Sequence, residues 1–401
     1  MFGLEQLRVV EIGTAVSVPM VGAVLANLGA EVYKVESRQR LDINRARVRR
    51  TADDPATEHE VFPLLHELNP AKRSVTLNLK NQAGFELFRG LLGASDVFIE
   101  NYAPGWLARL GLPWDELLTA YPQLVVLAAS AYGEEGPLSQ QRAYAPIMTG
   151  LAGLEGLIGY DEGATVGMMA TALSDPNAAY FGVFAVLAAL LERRRTGTGC
   201  LIDLSQTEAA TCLVGTALAE YATTGRIPGP RGNAHPERAP HGFLPCAGAD
   251  AWVAISVGSD AEWQALVRVI GIDDPRYTRA AGRHADAGEL FRVLEAWSRT
   301  RTPDEATAVL QAAGIACTPV LGVEQLDADP RFRARNLTTR VEHPLLGPMD
   351  VTGTPWHVDG EVPVPRGAGP VLAADTRAVM TEVLGLDDAT YDEHAAAGAF
   401  D

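Results

Sequence analysis

Residues 7–36 read LRVVEIGTAVSVPMVGAVLANLGAEVYKVE and contain three segments with different periods. A β-branched run at 7–12 predicts a strand, and apolar residues at helical spacing over 18–28 predict a helix. The alternation at 31–36 predicts a second strand, so the stretch forms a βαβ unit. Its turn, residues 13–19, lacks the G-x-G-x-x-G pattern of dinucleotide-binding folds and does not favour NAD or FAD.

Helical patterns and strand patterns continue to alternate along the chain. Helical patterns at 84–92 and 114–120 are followed by strand patterns at 96–99 and 124–127. Strands that alternate with helices form parallel, doubly wound sheets. The predicted fold class is therefore α/β, with a large Rossmann-like lobe built on a parallel sheet.

Residues 223–245 are rich in Gly, Pro and Arg and have no clear period, which indicates a domain boundary. We expect the large Rossmann-like lobe over 1–220 and a smaller α/β lobe over 221–329. The Pro- and Gly-rich segment 330–401 carries one good helical pattern, at 376–384, and is expected to return and pack on the large lobe.

Composition narrows the classes of partner. Lysine and arginine number 33 against 50 aspartates and glutamates, for a net charge of −17, which argues against nucleic acid as a partner. The four cysteines form no C-x-x-C pair and no H-E-x-x-H occurs, so no metal is expected and a reducing cytoplasm is the predicted location.

We expect no secretory signal and no membrane association. The most apolar stretch, 178–191, is shorter than the roughly 18 residues of a span and predicts a buried helix.

One carboxylate lies in an unusual context. Asp175 stands between Ser174 and Pro176, just before the apolar helical pattern of 177–195. Such an aspartate is typical of a helix N-cap. The same position would keep a carboxylate ionised in a dry pocket, as a nucleophile requires. No histidine lies between residues 67 and 234 and no G-x-S-x-G occurs, so carboxylate chemistry is favoured over histidine chemistry.

Cations crowd the stretch after the second predicted strand. Such a cluster at the carboxyl edge of a parallel sheet suits a phosphate-rich small molecule, although a solvated loop or a salt-bridge patch explains it equally well. Its members are Arg38, Arg40, Arg45, Arg47, Arg49 and Arg50.

Several motifs in the same order resemble the class III coenzyme A transferase family of CaiB/BaiF type, which includes relatives of formyl-CoA transferase and the α-methylacyl-CoA racemases. The resemblance covers nearly the whole chain. Its carriers are residues 28–36, 69–80, 100–105 with 109–111, 174–176, 195–199 and 202–206.

The resemblance implies a large Rossmann-like lobe plus a small lobe, and a homodimer whose subunits interlock like rings. It implies that Asp175 is the catalytic aspartate and that coenzyme A is bound as a substrate thioester, without a metal. Acyl-CoA and carboxylic acids would be the substrates. The residues that fall on the implied CoA site are Ser17, Arg38, Lys72, Asn101, Tyr102 and Arg109.

The implied reaction is transfer of CoA through an aspartyl anhydride and an aspartyl-CoA thioester. An acyl-CoA racemase or isomerase is an alternative, but residues 140–144 lack the histidine that the racemase branch pairs with its aspartate. A non-catalytic subunit of a heteromeric transferase is another. Val16 and the segment 232–242 depart from oxalate-type members and favour a larger or more apolar acid. His235 and His241, in that segment, are candidates for reaching the active site.

Overall fold

The structure is a computed structural model that describes residues 2–46, 57–160, 166–167, 173–272 and 274–401. It divides into two compact units. The first comprises the described residues of Met1–Leu154, Met168–Ala219 and Arg333–Asp401, and the second those of Glu155–Gly167 and Glu220–Phe332. The boundaries expected after residues 220 and 329 lie close to these divisions. The separate piece at Glu155–Gly167 was not foreseen.

The described strands form three sheets. Six parallel strands form the sheet of the first unit in the order β3-β2-β1-β4-β5-β6, a Rossmann order that reverses between β1 and β4. The α/β class with a parallel sheet is thus confirmed. The strands are β1 (Arg8–Ile12), β2 (Glu31–Glu36), β3 (Arg73–Thr76), β4 (Val97–Glu100), β5 (Val125–Ala128), β6 (Leu201–Asp203), β7 (His241–Pro245), β8 (Trp252–Ser256), β9 (Ala316–Pro319), β10 (Thr338–His343) and β11 (Gly347–Thr352).

The described helices include the connections between these parallel strands. They are α1 (Ser17–Asn27), α2 (Ile43–Ala46), α3 (Pro63–Leu68), α4 (Gln82–Gly93), α5 (Trp114–Ala120), α6 (Ala145–Leu151), α7 (Ser174–Thr196), α8 (Gln206–Thr211), α9 (Gly215–Thr224), α10 (Asp260–Ile270), α11 (Ala280–Ala285), α12 (Ala287–Ser298), α13 (Pro303–Ala312), α14 (Val323–Ala328), α15 (Pro330–Arg333), α16 (Thr376–Leu384) and α17 (Asp388–Ala396).

The six-stranded sheet carries an apolar core on each face. Phe88 of α4 and Phe98 of β4 belong to one core, and Val21 of α1 and Ile99 of β4 belong to the other. Parallel strands covered on both faces carry continuous hydrophobic runs, which explains the runs at 7–12 and 124–127. The alternation in β2 has another origin, because its Lys34 and Glu36 are buried in ion pairs.

Helix α7 packs against α1 through a glycine. A Cβ built on Gly182 would lie 3.2 Å from Cγ2 of Val21 and 3.0 Å from Cδ2 of Leu127, so a side chain there would push the helix away. The expectation of a buried helix is wrong for the other face, because Phe184 is 74% exposed and Leu191 is 66% exposed. By length and composition alone, α7 is the one described helix that could cross a membrane.

The C-terminal segment makes hydrogen bonds to strand β3 of the first unit. The carboxylate of Asp375 accepts the backbone N–H of Ser74 at 2.9 Å, and Oγ1 of Thr376 accepts that of Thr76 at 3.0 Å. Helix α16 is thereby joined to β3. The hairpin of β10 and β11 and helix α17 were not predicted.

The second unit is small and mixed. Strands β7, β8 and β9 form an antiparallel sheet. Trp263 of α10 and Leu290 and Leu294 of α12 pack against it in an apolar core. The expected smaller α/β architecture is therefore present in this unit.

Candidate active site

Asp175 is the second residue of α7 and is partly buried. The helix begins at Ser174, and its N-cap residue, Leu173, makes no side-chain cap hydrogen bond. The N-cap interpretation of Asp175 is therefore wrong, because the helix starts one residue before it. The carboxylate lies instead in the first turn, at the positive end of the helix dipole.

Burial raises the pKa of Asp175 to about 6 because its carboxylate loses water. Hydrogen bonding to the backbone N–H groups of Asp175 and Ser17 and to the Ser174 hydroxyl acts in the opposite direction. The carboxylate is therefore ionised at neutral pH and yet more basic than an exposed one. A nucleophile that attacks a carbonyl carbon needs both properties.

Ser17 joins Asp175 to the turn between β1 and α1. It is the first residue of α1, and its Oγ accepts a hydrogen bond from Nδ2 of Asn101 at 3.2 Å. Asn101 also pairs with the backbone of Thr14, accepting its N–H at 3.0 Å and donating to its carbonyl at 2.8 Å. Residues after β1 and after β4 are thus connected at the point where the strand order reverses.

The turn itself is strained and is held by a buried carboxylate. Ala15 has a φ of 64°, a region that favours glycine. Its N–H donates to Oδ1 of Asp42 at 3.3 Å, and its carbonyl accepts Nδ2 of Asn44 at 2.6 Å. These contacts hold the turn against its local preference and fix the direction in which α1 begins.

Two buried lysines, Lys34 and Lys72, lie close to the turn between β1 and α1 and stabilise it. Nζ of Lys34 lies 3.0 Å from Oδ2 of Asp42, 3.2 Å from Oε1 of Glu11 and 2.9 Å from the carbonyl of Gly13. Burial by itself lowers the pKa of Lys34, but attraction from Asp42 and Glu11 outweighs it and the pKa is raised. This network therefore stays charged.

Lys72 belongs to the same network. Its Nζ lies 2.7 Å from Oε2 of Glu11 and donates to the carbonyl of Pro19 at 2.7 Å. Burial lowers the pKa of Lys72 to about 8, although Glu11 opposes this. A Cβ on Gly22 would lie 1.9 Å from Oε2 of Glu11, so the glycine is required for this close approach to α1.

A cavity of about 590 Å³ opens at the carboxyl ends of the strands. Its lining includes Thr14 from the β1–α1 turn, and Tyr102 and Trp106 from the loop after β4. The rings of Tyr102 and Trp106 lie 5.2 Å apart and form an aromatic wall, and the Arg40 guanidinium lies 5.1 Å from the Tyr102 ring. Crevices at this edge of doubly wound sheets are where ligands bind.

The structure distributes the residues of the implied CoA site unevenly. Tyr102 and Arg109 line the cavity. Asn101 and Ser17 lie between the cavity and Asp175, in the hydrogen-bonded chain described above. Lys72 and Arg38 do not line it.

The arginines that follow β2 lie in different environments. Arg45 is buried between Glu36, 2.7 Å from its Nε, and Glu60, 2.7 Å from its Nη1, so it belongs to a salt-bridge patch. Arg40 lines the cavity. Arg38 is exposed. The predictions for Arg47, Arg49 and Arg50 lie outside the described residues.

His235 and His241 lie in the second unit, with ring centroids 5.2 Å apart. Nδ1 of His241 lies 2.7 Å from the carbonyl of Asn233, and the ring lines a shallow groove of about 530 Å³ on the β7–β9 sheet. Their role in the reaction stays a prediction. Among the described residues, no group of three or more histidine, cysteine, aspartate or glutamate side chains is placed to hold a metal ion.

Sequence reasoning missed three residues of this site. Trp106 lies between the motif segments 100–105 and 109–111, and an aromatic residue four positions after Tyr102 was a usable signal. Lys80 lines the cavity and also lies in a quoted motif. Asp42 gave no signal, because its importance comes from a buried lysine on another strand.

Comparison with known proteins identifies the class. Residues 4–376 match the model of CoA-transferase family III. A solved CAIB/BAIF family protein from Brucella suis is 28% identical, covers 95% of this chain and 99% of its own, and superposes with a TM-score of 0.84.

Two curated relatives agree. The probable CoA-transferase Rv1866 of Mycobacterium tuberculosis is 31% identical over 98% of this chain, which spans about half, 49%, of that relative. The succinyl-CoA–D-citramalate CoA-transferase of Chloroflexus aurantiacus is 28% identical over 96% of this chain and 95% of its own. The chain belongs to CoA-transferase family III, and the expected enzyme class is confirmed.

Proposed function

We propose that this protein transfers coenzyme A from an acyl-CoA donor to a carboxylic acid acceptor, with Asp175 as the nucleophile. The observation that carries the proposal is a partly buried carboxylate at the start of α7 that reaches the N-terminus of α1 at Ser17. Through Asn101 and Thr14 it is connected to a cavity at the carboxyl edge of a Rossmann sheet. Family membership supports CoA as the ligand.

The covalent steps balance without a redox partner. A carboxylate oxygen of Asp175 attacks the donor's carbonyl carbon, the C–S bond breaks, and a mixed anhydride and CoA thiolate form. The thiolate then attacks the aspartyl carbonyl, which releases the donor acid and leaves an aspartyl-CoA thioester. The acceptor carboxylate reverses the two steps, and Asp175 is regenerated. The N–H of Ser17 is close enough to the carboxyl group to stabilise an oxyanion formed on it.

The cavity suits the polar and aromatic parts of CoA. Arg40, Lys80 and Arg109 bring positive charge to its lining in an acidic protein, and phosphates seek such cations. Tyr102 and Trp106 offer faces on which an adenine ring can stack. Lys72 would act indirectly, by holding α1 at the Pro19 carbonyl.

A panel of carboxylic acids, offered together with one acyl-CoA donor, identifies the acceptor and tests whether CoA is transferred. We take succinyl-CoA as the first donor, because the D-citramalate enzyme above is named for it. The chain, purified alone, is incubated with succinyl-CoA and each acid, oxalate included, and new acyl-CoA is detected by mass spectrometry. Transfer to an acid larger than oxalate supports the proposal. Activity only after a second chain is added would instead favour a heteromeric subunit.

Isomerase chemistry is separated from transfer with deuterated water. A chiral acyl-CoA substrate incubated without an acceptor acid should keep its α-hydrogen if Asp175 acts only as a nucleophile. Incorporation of α-deuterium would contradict transfer as the main reaction and favour proton abstraction at the α-carbon.

The rate of transfer should fall in acid. Only the ionised form of Asp175 attacks a thioester, and its pKa is raised to about 6. We therefore expect kcat/KM for the acyl-CoA to fall about tenfold for each pH unit below about 6, and to level off above it. A pH–rate profile measured from pH 4.5 to 8 checks this. A rate that stays flat down to pH 4.5 would contradict the assignment.

We propose further that the chain forms the interlocked homodimer that its family resemblance implies. The support is the uncovered apolar face of α7, where Phe184 and Leu191 are 74% and 66% exposed, together with Ile147 and Leu151 of α6. Exposed apolar side chains grouped on neighbouring helices are typical of protein–protein interfaces. The cytoplasmic location and the lack of nucleic-acid or membrane partners also stay predictions.

Charge placed on this face should prevent assembly. The wild type is expected to sediment at twice the chain mass of 42.7 kDa and to remain dimeric on dilution, because interlocked chains cannot separate while folded. Phe184→Glu should shift the mass toward the monomer. Val323→Glu, which replaces an 83% exposed apolar residue of the second unit, is the matched control. A dimer unaffected by Phe184→Glu would contradict the proposed interface.

A further inference from the structure

The aromatic wall of the cavity rests on a buried carboxyl group. Glu100 is the last residue of β4 and is 0% exposed. Its neighbours in the sheet are Ile12 of β1 and Ala128 of β5, both apolar. Neither sheet neighbour therefore supplies a charge that could compensate a carboxylate at this position.

The two carboxyl oxygens of Glu100 differ in their hydrogen bonding. Oε2 accepts the backbone N–H of Tyr102 at 2.8 Å and the indole N–H of Trp106 at 2.7 Å. Oε1 is buried, with no hydrogen-bond partner among the described residues. A carboxylate rarely leaves a buried oxygen unpaired, whereas a neutral acid can carry its proton there at lower cost.

A second carboxyl group, that of Glu134, interacts with Glu100. Glu134 follows β5, accepts the indole N–H of Trp114 at 2.7 Å, and donates its own backbone N–H to Asp203 of β6 at 2.9 Å. Burial and repulsion from Glu134 raise the pKa of Glu100 to about 8, against the effect of the Tyr102 and Trp106 donors. Glu100 is therefore largely neutral at pH 7.

We propose that Glu100 is a positioning residue for the CoA cavity, whose carboxyl group fixes the Tyr102 backbone and the Trp106 indole and so sets the aromatic wall. It does not line the cavity itself. The inference rests on the proposed function, which identifies the ligand of the cavity as CoA. When Glu100 ionises, its hydrogen bonds to the two N–H groups strengthen, but the charge on Oε1 has no donor beside it and faces Glu134 in a buried site. This repulsion displaces the carboxylate, and the aromatic wall moves with it.

The affinity for acyl-CoA should therefore fall in mild alkali. If binding favours the neutral form, the Kd for acetyl-CoA rises about tenfold between pH 7 and pH 9 in the wild type. Glu100→Gln keeps an acceptor for both N–H groups but cannot ionise, so its Kd should stay nearly constant over this range. Glu100→Leu removes the acceptor and should weaken binding at every pH.

Three measurements make the test specific. Calorimetric titration with acetyl-CoA, which has no free thiol, gives Kd against pH for the wild type, Glu100→Gln, Glu100→Leu and the exposed control Glu116→Gln. Infrared spectra of the ligand-free protein at pH 7 should contain the C=O band of a neutral carboxyl group that Glu100→Gln lacks. In this pH range the folded protein keeps the Glu100 proton, whereas the unfolded chain has lost it, so stability falls as pH rises. The Tm of the wild type should therefore fall more steeply from pH 5 to 8 than the Tm of Glu100→Gln.

The outcomes separate the two proposals. A pH-dependent Kd in the wild type that Glu100→Gln removes, together with the infrared band, supports the inference. A Kd that follows the same pH course in both proteins, or a missing band, overturns the inference and leaves the proposed function intact. A wild type that binds no acetyl-CoA overturns the proposed function and this inference with it.

Discussion

Replacing Asp175 with asparagine is expected to reduce CoA transfer by about 10³-fold or more, because a covalent route without its nucleophile retains only binding and oxyanion contributions. Asparagine has nearly the same size as aspartate. At this partly buried position the substitution therefore removes the charge but keeps the packing. The affinity for acyl-CoA should remain nearly that of the wild type. Steady-state kinetics with succinyl-CoA and the best acceptor, together with calorimetric binding, check both expectations.

A matched substitution tests whether this loss is specific. Asp115 also lies in the first turn of a helix, α5, but is exposed and does not line the cavity. Asp115→Asn should therefore leave transfer nearly unchanged. Equal activity losses in both variants, or substantial turnover in Asp175→Asn, would remove Asp175 from the role proposed for it.

Removing the buried cation beneath the turn is expected to have the largest effect on stability. Lys34→Met leaves Asp42 and part of Glu11 buried without the charge that compensates them. Loss of one partner from such a buried pair costs about 3–5 kcal/mol. Transfer should fall as well, because Asp42 no longer holds the Ala15 turn from which α1 and Ser17 begin.

Hydrogen exchange measures this cost in the first unit alone. Amide protons of β1 and β2 report the free energy of opening of that sheet, independently of the second unit. Lys80→Met is the control, since Lys80 is exposed and its removal should change the free energy by no more than about 0.5 kcal/mol. A loss below about 1 kcal/mol for Lys34→Met would contradict the structural role of the network.

The parts of the fold that depend on local pattern could be predicted from the sequence. The period changes along residues 7–36 indicated β1, α1 and β2, because strands and helices space their apolar residues differently. Residues 376–384 were predicted as a helix and form α16. The exposed face of α7 was not predictable, because an apolar composition does not reveal what covers each side of a helix.

The candidate site was predictable only in part. The resemblance predicts site roles for Asp175, Asn101, Tyr102 and Arg109, and these roles stay predictions. The structure places all four residues at one sheet edge or beside it. A motif fixes a position along the chain and not the direction of its side chain, so Lys72 was expected in the ligand site although it points into a buried ion pair. Glu100 stands first in the motif 100–105, but the motif did not indicate its role, because its raised pKa depends on burial and on Glu134.

The most direct test is to look for the covalent intermediate. The protein is mixed with succinyl-CoA without an acceptor, quenched in acid, digested and analysed by mass spectrometry, with and without borohydride reduction of the thioester. We expect the CoA or acyl adduct on the peptide that contains Asp175, and conversion of that aspartate to its alcohol on reduction. Turnover with Asp175 unmodified, or an adduct on another residue, would contradict the account.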